Sequence, residues 1–242
     1  MTSVFKWAEV KAQADDPPLN MELEPGQWAL WLEPNPFKLS LYWDLARGFG
    51  EPAQGRIFWF NAPKPLILSA RQECEFRRQF GSVDRNDRLI MGLNLVNNLA
   101  LYYEYHLGYE KLAAESEAWL WLEKFDLQDF AELMGDQVPA HKLPIASLAL
   151  ALVKTPALFF LDRPRALFEA DFALAWSTLL ELKQSQGLPL VIFDQQPGPW
   201  LAEIEANELL IWPKPHGPEL NNFDPILKPS LSKTSIAISE SP

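Results

Sequence analysis

Ala157-Leu158-Phe159-Phe160-Leu161-Asp162-Arg163-Pro164 decides how this chain is read. An apolar run closed by an aspartate has the pattern of a buried parallel strand that delivers one carboxylate to the carboxyl edge of a sheet. The next residue is Arg163. Its guanidinium has a pKa above ~12 and accepts no proton. Chemistry that needs a second carboxylate here finds a permanent cation instead. Downstream, helical spacing over residues 170–184 ends before Gly187, and Leu190-Val191-Ile192-Phe193 reads as another strand. Together these form a βαβ unit, which implies a parallel sheet with a right-handed crossover. A last helix is predicted over residues 200–206, leading to a strand at Leu209-Leu210-Ile211-Trp212.

Upstream, Trp28-Ala29-Leu30-Trp31-Leu32 reads as an apolar strand after the turn Glu24-Pro25-Gly26. Glu33-Pro34-Asn35-Pro36-Phe37 reads as a loop, and residues 38–47 as a helix stopped by Gly48. Arg56-Ile57-Phe58-Trp59-Phe60 is predicted to be a strand, with Leu66-Ile67-Leu68 extending its sheet and residues 69–80 forming a short amphipathic helix. Residues 89–134 are mostly helical by the spacing of Leu95, Leu99, Tyr102 and Tyr103 and of Leu120, Leu122, Phe125 and Leu127. Residues 146–153 form an apolar helix that stops near Pro156. From Pro213 onward Pro, Ser, Asn and Lys appear without periodicity, so residues 213–242 are predicted to be an extended or disordered tail behind a folded domain spanning 1–212. Its Phe223, Ile226, Leu227 and Leu231 are either inert or latch a neighbouring subunit.

Composition narrows the function classes. With 242 residues, 48% of them hydrophobic, the chain can bury a sizeable core. A net charge of −11 argues against a nucleic-acid partner, which calls for a basic face, and against loose adhesion to anionic lipid. One cysteine, Cys74, excludes an internal disulfide and a cysteine-based zinc site. No run approaches the ~18 apolar residues of a spanning helix, and Met1–Trp7 does not open a signal peptide.

The order strand, loop, helix, helical insert, helix, strand, helix, strand resembles the nucleotide-binding domain of ABC transporters over residues 4–212, with the insert at about 86–150. Leu148 through Pro164 is similar to the family's helix, turn and Walker B strand, and Phe125-Asp126-Leu127-Gln128-Asp129-Phe130 looks like the end of its helical subdomain. The resemblance implies an α/β, P-loop NTPase-like ABC ATPase fold, with a parallel central sheet, an N-terminal antiparallel β part and a helical subdomain. It also places the family's motifs. The phosphate loop, Gly-x-x-x-x-Gly-Lys-Ser/Thr, falls on Glu33 to Ser40. Pro34 and Pro36 have no N–H to aim at a phosphate, Glu33 puts negative charge there, and Leu39 stands where the lysine belongs. Only Ser40 matches. A one-residue gap brings Lys38 into register, but Leu39 then replaces the Mg²⁺-binding hydroxyl. Each lost charge-assisted hydrogen bond is worth ~1.5–3 kcal/mol.

The remaining motifs fall on similar departures. The glutamine-loop position is Arg85, read either as a surface residue or as a docking contact. The signature loop falls on Val138-Pro139-Ala140-His141-Lys142, without a glycine, and His141 reads as a loop histidine. Gln195, in Asp194-Gln195-Gln196, takes the switch-histidine position and cannot shuttle a proton. Ala166-Leu167-Phe168-Glu169 holds the D-loop place, and no adenine-stacking aromatic stands near residues 12–14. Asp162 survives, and Arg163 beside it favours an ion pair over Mg²⁺.

The reading that follows is a catalytically inactive ABC ATPase-like subunit with a structural or regulatory role in a membrane transport complex. It implies no cofactor, no metal and no catalytic residue. The expected partners are a transmembrane permease subunit, docked through Arg85, Leu89, Met91 and Leu95, and a second copy or an ATPase subunit. The expected location is cytoplasmic, peripheral on the inner face of the cell membrane, with bacterial envelope lipid trafficking as one setting. Two alternatives stay open: an ATPase with a non-standard site that uses ATP and Mg²⁺ through Lys38, Ser40 and Asp162, and a soluble adaptor.

Overall fold

The computed structural model describes residues 3–63, 69–86, 89–198, 200–201, 204 and 209–212. In chain order these form β1 (Phe5–Lys11), β2 (Leu19–Leu23), β3 (Trp28–Leu32), α1 (Pro36–Ala46), β4 (Gln54–Trp59), β5 (Ala62–Pro63), α2 (Ala70–Arg78) and β6 (Phe80–Val83). There follow α3 (Leu95–Leu107), α4 (Lys111–Lys124), α5 (Leu143–Leu152), β7 (Leu158–Asp162), α6 (Pro164–Phe168), α7 (Phe172–Gln186), β8 (Leu190–Asp194) and β9 (Leu209–Trp212). The predicted extension at Leu66-Ile67-Leu68, most of the predicted helix 200–206 and the tail 213–242 lie outside the described residues.

Among the described residues, five strands form a parallel sheet in the order β6-β7-β8-β3-β9, and four form an antiparallel sheet in the order β2-β1-β4-β5. The period of two along each strand sorts the central side chains onto two cores. Trp28, Leu30, Phe159, Leu161, Leu190 and Ile192 face the helical layer of α3, α4, α5 and α7. Ala29, Trp31, Leu158, Phe160, Val191 and Phe193 face α1 and the antiparallel sheet. Because both faces are covered, these strands are apolar up to the aspartates that end β7 and β8, which makes the run ending at Asp162 legible. The second core is largely aromatic: Trp7 lies 4.6 Å from Trp31, and Phe160 lies 5.3 Å from Phe5 and 5.6 Å from Phe80, ring centre to ring centre.

Two local expectations shift. The helix predicted over 69–80 ends at Arg78, and Phe80–Val83 is the edge strand β6. Four residues containing Gly81 and Ser82 carry little strand pattern of their own; pairing with β7 supplies it. A Cβ at Gly81 would stand 2.7 Å from the Phe159 ring, so the close approach of these strands needs glycine. The helix predicted over 38–47 begins two residues earlier, at Pro36, which shortens the preceding loop to Glu33-Pro34-Asn35.

Candidate functional site

Register across the parallel sheet brings four strand ends together. Leu32 pairs with Asp194, Asp162 with Phe193, and Val83 with Leu161. Glu33, Gln195, Arg163 and Arg85 therefore leave the same edge, where open α/β sheets bind ligands. Residues singled out far apart in sequence share one site.

The turn into α1 is closed by its own side chains. Proline is favoured in a first helical turn because its missing N–H would be unpaired anyway. The next two N–H groups, of Phe37 and Lys38, donate to Asn35 Oδ1 at 3.0 and 3.3 Å. The Asn35 N–H donates to Glu33 Oε1 at 2.9 Å, and Gln195 Nε2 donates to the Pro34 carbonyl at 3.1 Å. An anion approaching this helix end meets occupied donors, two prolines and the Glu33 carboxylate.

The other residues of this stretch face elsewhere. Leu39 is 1% exposed and belongs to the aromatic core. Ser40 Oγ donates back to the Pro36 carbonyl at 3.0 Å, within the helix. Lys38 reaches Asp16 on the β1–β2 connection and pairs with its carboxylate. Asp16 is buried and also accepts the Gln13 N–H at 2.9 Å. Burial alone would raise the Asp16 pKa, but Lys38, the Gln13 N–H and Tyr42 outweigh it and hold the carboxyl below its usual range. Lys38 is raised in turn, chiefly by its bond to Asp16.

Asp162 is gripped at both oxygens. Arg163 Nε donates to Oδ1 at 2.9 Å and Nη2 to Oδ2 at 2.7 Å, the two-pronged geometry that suits guanidinium and carboxylate. Arg163 has φ +42°, a left-handed conformation uncommon for a side-chain-bearing residue, and its N–H donates to the Phe193 carbonyl at 2.7 Å. The Asp162 hydrogen bonds raise the Arg163 pKa, with Asp194 and Asp84 adding to the effect. Asp194 is itself raised, first by burial and further by the Asp162 charge, although the N–H groups of Gln195 and Gln196 oppose this.

Arg85 is exposed and donates Nη2 to the Ala166 carbonyl at 3.1 Å. His141 is also exposed, and Lys142 pairs with Asp171 at 2.8 Å. Of the expected docking residues, two are corrected. Leu89 and Leu95 are 4% and 0% exposed and pack in the helical core, so they offer no surface; their apolar character marks burial. Met91 is 50% exposed and is joined by Ile90 and Met134, near where Asn94 bridges Met134. Sequence reading missed Asn35, Asp16 and Met134. The first was legible as a helix cap, an Asn just before Pro and an apolar run. The other two are brought in only by long-range contacts.

This edge, with a strand–turn–helix unit at β3–α1, an acid-tipped β7 and a helical insert between β6 and β7, defines an ATP-binding-cassette architecture. The dimeric ATP-binding cassette MJ0796 in a post-hydrolysis state with ADP and Pi superposes with a TM-score of 0.69 at 18% identity, covering 79% of this chain and 88% of that one. CbiO1 from Clostridium perfringens, part of the ABC transporter complex CbiONQ, superposes with a TM-score of 0.63 at 18% identity, over 79% and 78% of the two chains. By sequence the chain is similar to ABC transporter ATP-binding proteins. It is 26% identical over 164 residues to the cell division ATP-binding protein FtsE of Haemophilus influenzae, covering 65% of this chain and 74% of that protein. It is 24% identical over 185 residues to the phosphonates import ATP-binding protein PhnC 2 of a Synechococcus species, covering 72% and 67%. No family model matches the chain.

Proposed function

We propose that this chain is the cassette subunit of an ABC-type membrane transport complex in which it carries structure or regulation and neither holds nor hydrolyses nucleotide. The observation that carries this reading is the self-satisfied site. Asn35 occupies the N–H groups that open α1, and Arg163 occupies both oxygens of Asp162. Lys38 and Ser40, which an unorthodox ATPase would use, are committed to Asp16 and to the Pro36 carbonyl. A phosphate must displace these partners and then sit beside Glu33, and Mg²⁺ must compete with a guanidinium. The chain therefore works without ATP, Mg²⁺ or another cofactor. Mg-ATP titration of the purified chain is expected to give no saturable binding below the millimolar range and no phosphate release. Tight binding would restore the ATP-binding reading that its relatives' names carry, and turnover abolished by Asp162→Asn would make the chain a hydrolase.

The chain docks on the cytoplasmic face of a transmembrane permease and sits at the inner face of the membrane, paired with a second copy or an ATPase subunit. Among the described residues no helix is long and apolar enough to cross a membrane. Ile90, Met91 and Met134 form an exposed apolar cluster at the base of the helical insert, the kind of surface that receives a partner helix. Met91→Asp is expected to reduce co-purification with membrane proteins from detergent-solubilised membranes several-fold. Unchanged recovery would remove this cluster from the docking surface, and recovery of the wild type from cytosol alone would favour the soluble adaptor.

A further inference from the structure

We infer that residues 163–171, which follow β7, form a clamp that fixes the helical insert to the sheet at both of its crossings. This goes beyond the proposed function and does not depend on it. The base of the insert is one body. The N–H groups of Leu95 and Val96 donate to the carbonyls of Leu133 and Ala131, and the Gly135 N–H donates to the Leu93 carbonyl, each at 3.0 Å. Asn98, 1% exposed, accepts the Ile90 N–H at 2.7 Å and donates to the carbonyls of Ile90 and Leu93, both at 3.1 Å. A unit tied together this way is joined covalently to the sheet at two connections, after β6 and before α5, while α4 also reaches α7 through the exposed Lys124–Glu181 pair at 3.0 Å.

Both connections are bonded to the same segment. Arg85, just after β6, reaches the Ala166 carbonyl. Lys142, the last residue before α5, pairs at 2.8 Å with Asp171, and their side chains are only 15% and 17% exposed. At its other end the clamp is anchored to the sheet by the Arg163 N–H on the Phe193 carbonyl and by the buried side chains of Leu167 and Phe168. Asp171 makes no side-chain cap to α7, so its carboxylate serves the Lys142 pair. The segment thus links the acid at the end of β7 to the base of the insert, where Ile90, Met91 and Met134 are exposed.

Hydrogen exchange on the full chain tests the clamp. With Arg85→Ala and Asp171→Asn combined, amides in 89–98 and 131–142 are expected to exchange on the order of five- to ten-fold faster while β7 and β8 stay as slow as in wild type. Reversing the pair, Lys142→Asp with Asp171→Lys, is expected to return the insert close to wild-type exchange. Unchanged insert exchange in the double variant overturns the clamp, as does equal acceleration in the sheet. A Mg-ATP arm separates this inference from the proposed function. Nucleotide binding with steady insert exchange defeats the nucleotide-free reading and leaves the clamp standing; insert exchange that rises with nucleotide defeats the clamp.

Discussion

The interior of the parallel sheet and its carboxyl edge are a few ångströms apart and are held by different physics. Inside, β3, β7 and β8 bury nearly every side chain between two apolar layers. Their stability comes from area removed from water, roughly 25 cal/mol per Å². At the edge, Glu33, Asn35, Asp162, Arg163, Asp194 and Gln195 satisfy one another by hydrogen bonds and charge pairs, most of them within reach of water. Such interactions contribute little net energy each. A chain can therefore change its edge residues freely, provided the polar groups still find partners, while the interior tolerates little. An ATP-binding-cassette fold whose sheet edge is held by its own polar pairs is what that difference permits.

Three substitutions break or sharpen this contrast. The largest effect is expected inside: Phe160→Ala removes a fully buried ring from the aromatic core and should cost about 3–5 kcal/mol by denaturant unfolding. A loss under about 1 kcal/mol would mean that the interior is no more demanding than the edge. At the edge, Asn35→Ala frees two N–H groups at the start of α1 and should cost about 1 kcal/mol, the worth of one cap. If it also creates saturable Mg-ATP binding, Asn35 alone was blocking the anion site. The smallest effect is electrostatic. Burial raises the Asp194 pKa in the folded chain above its usual value, so its contribution is most favourable when the group is protonated and fades as pH rises through the raised pKa. Asp194→Asn should thus be slightly more stable than wild type at neutral pH, and the gap should close on acidification into the ordinary carboxylate range. A gap that widens on acidification would reverse the assigned sign.

The strands were legible where burial on both faces forced every position to be apolar, as in Trp28–Leu32 and Leu158–Asp162. β6 was not, because an edge strand of four residues with a glycine takes its structure from β7. The site was legible as a set of positions, since the order of elements fixes which residues leave the same sheet edge. Their engagements were not: Lys38 on Asp16, Gln195 on Pro34 and Arg85 on Ala166 join residues that no local period connects. Leu89 and Leu95 show the converse error, because an apolar residue beside a predicted docking loop looks the same in sequence whether it faces a partner or the core.

The amino-acid order alone settled the α/β alternation, the acid at the end of β7, the arginine after it and the prolines before α1. These follow from covalent identity and from the short-range periods of strand and helix. Only the folded chain decided which polar groups neutralise one another at the sheet edge and which apolar side chains remain in water. Those outcomes depend on distances between segments far apart along the chain, which packing sets and local pattern does not encode.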